Sequence, residues 1–438
     1  MKKEDKYSLA KWAIEHALKN GAQQASVSIS DSRSSSIEVR EQKIDKLEQA
    51  IQNNLTIRLF VDNKYSAHST NRLKQQELAR FIEEAIAGTR FLSEDEFRTL
   101  PDPELYYKGG GPELNVFDSR IDTIDPQKKI DLAFGVENEV FGKDERLISV
   151  TASYYDGMNG RVMVNSNGFE GDTASSYYGL YATVSVKGGD ARPEAYWNEN
   201  AIFFDRLKTE GIGAKALDRA LKKIGQKKIA SARMTMIVEN VSAGRLLSPL
   251  IAALNGSAIQ QKNSFLIDQL GQQVASEKLT LTDDPFIPGG RASRLFDGEG
   301  LASKKMAVFE KGVLKTYYID TYYGKKLNMA PTTGGTSNLI LETGDKNLEQ
   351  LIASLDRGIL VTGFNGGNSN GSTGDFSFGI DGFLIEKGQI VQPVSEMNIT
   401  GNLKDLWMNL AETGNDFRED SSWRIPSLVF NQVDFSGI

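Results

Sequence analysis

Apolar and polar residues alternate with a period of two in three early segments, Ala25–Ser30, Ser36–Arg40 and Leu55–Phe60. Alternation of this kind predicts half-buried antiparallel strands. A helical stripe of Leu9, Trp12, Ala13, His16 and Ala17 precedes them and stops at Asn20-Gly21. A second helix follows, with Leu78, Phe81, Ile82, Ala85 and Ile86 on one face and Gly88 at its end. Residues 93–115, with Pro101, Pro103 and Gly109–Gly111, read as an irregular connection. Asp125-Pro126 then opens a helix running to about Phe141. Strands return around Leu147–Val150, Arg161–Val164 and Tyr177–Val186, and a helix from Ile212 to Ile224 turns Leu217, Ala220 and Leu221 inward. Strands followed by a helix thus occur twice, the pattern of a duplicated α+β unit.

The polar run Lys222–Lys228 marks a domain boundary, which divides the chain into residues 1–225 and 226–438. Beyond it, Met234–Val238 is a strand and Ala243–Leu254 a helix ending at Asn255-Gly256. Two tight hairpins follow: Met306–Phe309 and Val313–Tyr318 flank Glu310-Lys311-Gly312, and Gly382–Ile385 and Gln389–Val391 flank Glu386-Lys387-Gly388. The expected architecture is α+β in two domains. An N-terminal strand-and-helix domain precedes a β-rich C-terminal sheet or barrel with one central helix.

Composition narrows the chemistry more than the architecture. The 438 residues contain no cysteine, which excludes disulfides, thiol nucleophiles and thiolate metal sites. Only two histidines occur, both in the first 70 residues. His16 lies on an apolar helix face, as a packed residue does, and His68 ends a strand without a neighbouring carboxylate. A histidine-driven hydrolytic centre in the second domain is therefore not expected. The net charge is −7 with dispersed lysines and arginines, so no basic footprint for nucleic acid is evident. No stretch approaches the ~18 apolar residues of a membrane span, and the charged N-terminus lacks an apolar leader core. Cytoplasmic location, with neither membrane nor nucleic acid as partner, is the expectation.

Other candidate sites are weaker. An oxygen-ligated magnesium or calcium ion is conceivable among so many carboxylates, but no D-x-D-x-D-G loop appears. Ser248 with Lys262 would be the raw material of a Ser-Lys pair, yet a serine before a proline in a helix more often bonds to nearby backbone. Gly363–Gly374 is glycine-rich but lacks the G-K-[ST] ending of a phosphate loop. The tyrosines at 177, 178, 181, 196, 317, 318, 322 and 323 suit either a peptide-holding cavity or ordinary alternation across strands.

The second half carries an ordered set of short motifs. Ala243–Leu247, Leu254–Gly256, Asn263–Leu266, Asp297–Gly300 and Gly312–Lys315 come first. Gly374–Ser377, Phe383–Gly388, Thr400–Asp405 and Gly414–Asp416 follow. In this order they resemble the TldD/PmbA family, long labelled modulators of DNA gyrase. The resemblance implies a two-part metallopeptidase in which a TldD-type subunit carries H-E-x-x-x-H on the C-terminal helix and a cysteine near the C-terminus. A PmbA- or TldE-type subunit lacks both. Mapped onto this chain, the histidine positions are Ser248 and Ala253, the glutamate position is Pro249, and the cysteine segment holds Arg418, Glu419, Asp420, Ser421, Ser422 and Trp423. Zinc is bound through imidazole, thiolate or carboxylate at ~2.0–2.3 Å, and the mapped helix positions supply none of these. The expectation is a non-catalytic subunit with no cofactor of its own, paired with a zinc-bearing TldD-type subunit or with itself, and acting on unfolded peptides. Asn255, Gly256, Gly363, Asn365, Gly366 and Gly367 are the candidate peptide-cleft residues, because glycine lets an extended chain approach the backbone. A self-sufficient homodimeric peptide-binding or regulatory protein, and a hydrolase of unfamiliar mechanism, are the alternatives.

Overall fold

A computed structural model describes residues 1–438. The first half contains α1 (Lys3–Lys19), β1 (Gln24–Arg40), β2 (Lys43–Val61), β3 (Lys64–Thr70) and α2 (Gln75–Thr89). The same order then repeats as α3 (Pro126–Asn138), β4 (Leu147–Asn165), β5 (Glu170–Val186), β6 (Glu194–Ala201) and α4 (Ile212–Lys222). All six strands form one antiparallel sheet in the order β3-β2-β1-β4-β5-β6, so the two repeats meet along β1 and β4. The duplication suggested by the sequence is therefore a single sheet with an approximate twofold relation between its halves.

The alternation of β1 explains how the helices sit. Val27, Ile29, Ile37 and Val39 are all buried and all odd-numbered. The first pair lies in an apolar cluster with α1 and α2, the second in a cluster with α3 and α4. One charged contact recurs with them: Lys6 of α1 pairs with Asp31 on β1, and Lys129 of α3 pairs with Asp156 on β4. The other face of the sheet turns toward the second half, as shown by Arg58 on the Gly298 carbonyl and Asn200 on Asp420.

Several local expectations need correction: Leu147–Val150 and Arg161–Val164 belong to the single strand β4, and the segment Val313–Tyr318 is strand only at Val313 and Leu314. Ala25–Ser30 and Ser36–Arg40 are not separate strands; β1 runs unbroken through Asp31–Ser36. That polar stretch shows no apolar alternation, but β2 and β4 bond it on both sides and hold it extended. The helix expected at Ala243 begins earlier, at Asn240.

The second half contains β7 (Ala232–Val238), α5 (Asn240–Ala252), α6 (Gly256–Gln260), β8 (Leu281–Asp284), β9 (Met306–Glu310) and β10 (Val313–Leu314). After these come α7 (Thr321–Leu327), β11 (Asn338–Leu341), α8 (Leu348–Ala353), β12 (Arg357–Ser369), β13 (Asp375–Glu386) and β14 (Gln389–Asn402). The chain ends with α9 (Leu403–Met408), β15 (Leu410–Thr413), β16 (Trp423–Arg424) and β17 (Leu428–Ser436). Strands β7, β12, β13, β14 and β17 close into a barrel because β14 pairs with β17 as well as with β13. A second sheet, β10-β9-β8-β11-β16, lies beside it. α5 is the longest helix here, and its Ala243, Leu246, Leu247 and Leu250 join the largest apolar core. Both hairpins with a Lys-Gly turn have positive φ at the two turn residues, +46° and +78° at Lys311-Gly312 and +50° and +72° at Lys387-Gly388. That geometry matches the strand twist and favours glycine at the second position. No helix is long and apolar enough to cross a membrane.

Candidate functional site

The N-terminal end of α5 forms the floor of a trough between the two halves. Helix α5 follows β7 through Glu239, whose carboxylate does not cap the helix; it takes two bonds from the Arg219 guanidinium of α4, each 2.7 Å. Asn240 ties the helix start to the loop that precedes β17. Its amide donates to the Asp416 carbonyl, and its backbone N–H donates to the Ser427 hydroxyl at 3.2 Å. Asp416 in turn accepts from the Ser427 backbone N–H and hydroxyl, both at 2.7 Å, closing the loop on itself. The Gly414–Asp416 motif is thus a brace for this wall.

The trough contains a cavity of about 650 Å³ lined by Tyr196 and Trp197 of β6, Asn240 and Gly244 of α5, Arg418 and Trp423. A second cavity of about 530 Å³ continues it over Ser242 and Arg245 to Thr362–Asn365 and Asp381. Tyr196, Arg219 and Val241 line both.

Charge in the trough is organised around one buried indole. Lys215 lies 3.4 Å from the Trp197 ring centroid, Arg418 4.8 Å and Arg219 5.5 Å. Burial, reinforced by the Arg219 charge, pushes the Lys215 ammonium below its ordinary pKa. Arg418 grips Asp420 with bonds of 2.8 and 2.6 Å and donates to the Asn198 carbonyl at 2.7 Å, linking the C-terminal loop to β6. Burial alone would raise the Asp420 carboxyl, but Arg418 and the Asn200 amide outweigh it and hold the pKa below the usual carboxylate value. A carboxylate depressed in the folded state contributes stability above its unfolded pKa of about 3.9, and that contribution is lost as pH falls through the lower folded value. The wild-type melting temperature is therefore expected to fall on acidification below about pH 4 more steeply than that of Asp420→Asn, measured by calorimetry across that range.

The residues singled out from sequence divide between the trough and its supports. Ser248 is one turn beyond Gly244 on the same face of α5, exposed and without a hydrogen-bond partner, so it forms no Ser-Lys pair with Lys262. Pro249 is half-buried inside the helix, and Ala253 is buried just past its end. Gly363 and Asn365 line the second cavity. Gly366 and Gly367 form a bulge beside it with φ of +66° and +79°, and the Gly367 carbonyl accepts from Arg245 at 2.9 Å. A side chain at Gly367 would stand 2.1 Å from the Ser377 carbonyl oxygen, so only glycine fits. Asn255 and Gly256 lie outside the trough. Asn255 caps α6 through the Ser257 N–H, and a side chain at Gly256 would stand 2.9 Å from the Tyr323 Cβ.

The Asp297–Gly300 motif also braces: Asp297 accepts from the Glu299 and Leu301 amides, and Glu299 accepts from the N–H and hydroxyl of Thr321. Of the tyrosines, Tyr178, Tyr317 and Tyr318 are core residues, while Tyr196 is 54% exposed over the trough. His16 stacks on Trp12 and meets Glu83 at 3.0 Å, and His68 bonds to Ser66 at 2.9 Å. The charged cage itself was not anticipated; the one sequence signal was the Arg418-Glu419-Asp420 triplet in the mapped cysteine segment.

Comparisons with known proteins agree on one family. Residues 25–88 match the PmbA/TldA metallopeptidase domain 1, residues 119–224 its central domain and residues 231–437 its C-terminal domain. A Metalloprotease PmbA homolog of Haemophilus influenzae is 30% identical over 435 residues, covering 97% of this chain and 95% of that protein. The chain belongs to the PmbA/TldD metallopeptidase family. Metalloprotease PmbA of Escherichia coli O157:H7 is 28% identical, covering 94% of this chain and 92% of its own. A Bacteroides thetaiotaomicron crystal structure, described as a candidate modulator of DNA gyrase, is 53% identical with full coverage of both chains and a TM-score of 0.98. TldE of Thermococcus kodakarensis shares the fold at 21% identity, with a TM-score of 0.87 and coverage of 98% of this chain and 100% of that one.

The metal implied by the family's name does not fit the residues present. Ser248 offers a neutral hydroxyl, Pro249 and Ala253 offer no side-chain donor, and no three His, Cys, Asp or Glu side chains gather anywhere in a metal-holding group. Asp420, the one carboxylate that lines the first cavity of this PmbA/TldD-family trough, is already committed to Arg418.

Proposed function

We propose that this chain is the catalytically silent, PmbA/TldE-type subunit of a two-part metallopeptidase, which pairs with a zinc-bearing TldD-type subunit and helps hold unfolded peptide. One observation carries this assignment: the α5 positions to which the family resemblance maps metal ligands hold Ser248, Pro249 and Ala253, and the 418–423 segment, which meets the start of α5 at the trough, holds an Arg418–Asp420 ion pair. A half-buried, charge-compensated pair is a poor metal ligand, because binding would require breaking it.

The trough suits an extended peptide. The Gly363–Gly367 segment leaves backbone accessible, Tyr196 and Trp423 offer flat apolar surfaces, and Arg245 presents a cation in the second cavity. In the proposed pair this chain supplies a wall of the peptide channel, and the partner supplies metal and nucleophilic water.

The purified chain is expected to carry only substoichiometric zinc by mass spectrometry and to leave unstructured peptides intact. Adding the TldD-type subunit restores cleavage above that of the partner alone. Stoichiometric zinc together with cleavage by the lone chain overturns the assignment.

A further inference from the structure

The trough between the two halves is basic, in a chain whose net charge is −7. Its two cavities continue into a third of about 570 Å³, which shares Trp197, Asn240, Arg291 and Arg418 with the first. Nine cationic and five anionic side chains line the three. Three of the cations are paired: Arg219 with Glu239, Lys223 with Asp381, and Arg418 with Asp420. The other six are Arg192, Arg206, Lys208, Lys215, Arg245 and Arg291. All six are exposed, and none has a carboxylate within salt-bridge distance. Of the lining anions only Glu194 and Glu419 are unpaired.

The six follow the groove. Arg206, Lys208 and Lys215 line the third cavity, Arg291 the third and the first, and Arg192 and Arg245 the second. Two of them are positioned by neutral groups that leave their charge uncompensated. Lys215 rests on the Trp197 ring, and Arg245 donates to the Gly367 carbonyl and lies 4.7 Å from the Phe378 ring centroid. A cleft walled by one sign of charge focuses the field inside it and concentrates the opposite charge there. Burial and the Arg219 charge already disfavour the charged form of Lys215, a cost that an arriving carboxylate relieves.

We propose that the trough selects acidic chains: unfolded peptide segments rich in Asp and Glu, whose carboxylates meet the unpaired cations while their backbone lies along Gly363–Asn365. This deepens the reading of the trough as a peptide site and rests on it. Backbone chemistry separates such a peptide from a nucleic acid, the other common polyanion. β12 pairs with β7 only as far as Val361, so Gly363–Asn365 has no strand on that side. Its main-chain groups can pair with an extended peptide and have no counterpart in a phosphodiester strand. The flat face on which a base would stack is, at Trp197, already covered by Lys215. Each exposed charge contact is weak by itself, so selectivity grows with the number engaged along the groove.

The test is fluorescence anisotropy with the full chain alone. The probes are unstructured peptides repeating Gly-Ser-Glu, Gly-Ser-Gln or Gly-Ser-Lys, and oligothymidine, all carrying the same dye. The Glu peptide is expected to bind about tenfold or more tightly than the Gln peptide at ~0.05 M salt, and the Lys peptide more weakly than either. At ~0.5 M salt the preference shrinks severalfold. R206E/K208E lowers affinity for the Glu peptide about fivefold or more. K278E/K304E makes the same charge change at exposed lysines outside the trough and leaves affinity within about twofold. Circular dichroism and melting temperature of both variants stay near wild type. Equal binding of the Glu and Gln peptides, oligothymidine bound as tightly as the Glu peptide, or equal losses in the two double variants overturns the proposal. Neither zinc nor a partner subunit enters these readouts. A chain that prefers the Glu peptide yet adds nothing to a TldD-type subunit refutes the subunit assignment alone, and restored cleavage without a charge preference refutes only this inference.

Discussion

Lys129→Met is expected to lower the unfolding free energy by about 3 kcal/mol. The Lys129 and Asp156 side chains are 12 and 5% exposed and lie 2.5 Å apart. Ser35 and the Tyr154 hydroxyl also donate to Asp156, the latter at 2.7 Å. Burial, then the Asp156 charge, pushes the Tyr154 phenol far above its ordinary range, so it stays a neutral donor. Methionine keeps most of the lysine stem's apolar contact but leaves the carboxylate without a counter-charge. The control is K129M/D156N. Removing the charge along with its partner should recover much of the loss, as a double-mutant cycle by urea unfolding measures. Equal losses in single and double variants would mean that the lysine acts through packing alone.

Arg418→Ala is expected to cost about 2–3 kcal/mol and, beyond that, to abolish support of a TldD-type partner. Arg418 is 17% exposed and is the one side chain that binds the C-terminal loop, the β6 backbone and the Trp197 ring together. Asp420 would keep the Asn200 amide, which is why the stability loss stays moderate. The trough would lose the wall that the loop provides. Lys in place of Arg supplies charge without the planar fork and should recover part of the stability but little of the support. Thermal denaturation and the reconstituted cleavage assay separate the two effects; full support by R418A at a temperature where it remains folded would remove the trough from the mechanism.

Local elements were legible because their causes are local. Asp125 accepts from the Gln127 N–H at 3.0 Å as its position before Pro126 predicts. The Lys-Gly hairpins follow from the φ that two-residue turns demand. The absence of cysteine and the confinement of histidine to residues 16 and 68 removed whole classes of chemistry before any fold was known. The basic lining of the trough was hidden for the opposite reason: Arg192, Lys208, Arg245 and Arg291 are scattered through an acidic chain, and only the fold brings them to one groove.

What the chain determined by itself, then, was most of the helices, caps and turns, the α+β class, and the lack of imidazole and thiolate at the positions to which the family resemblance maps metal ligands. Tertiary structure alone decided that β1 runs through a polar stretch, that β14 and β17 close a barrel, and that Trp197, Arg219 and Arg418 share one cage. The physical reason is sequence distance. Arg418 and Asn198 are 220 residues apart along the chain, and no local pattern encodes which distant strand or carboxylate will satisfy a buried group. Periodicity sets which side of an element faces inward; the partner it meets there is chosen by the whole fold.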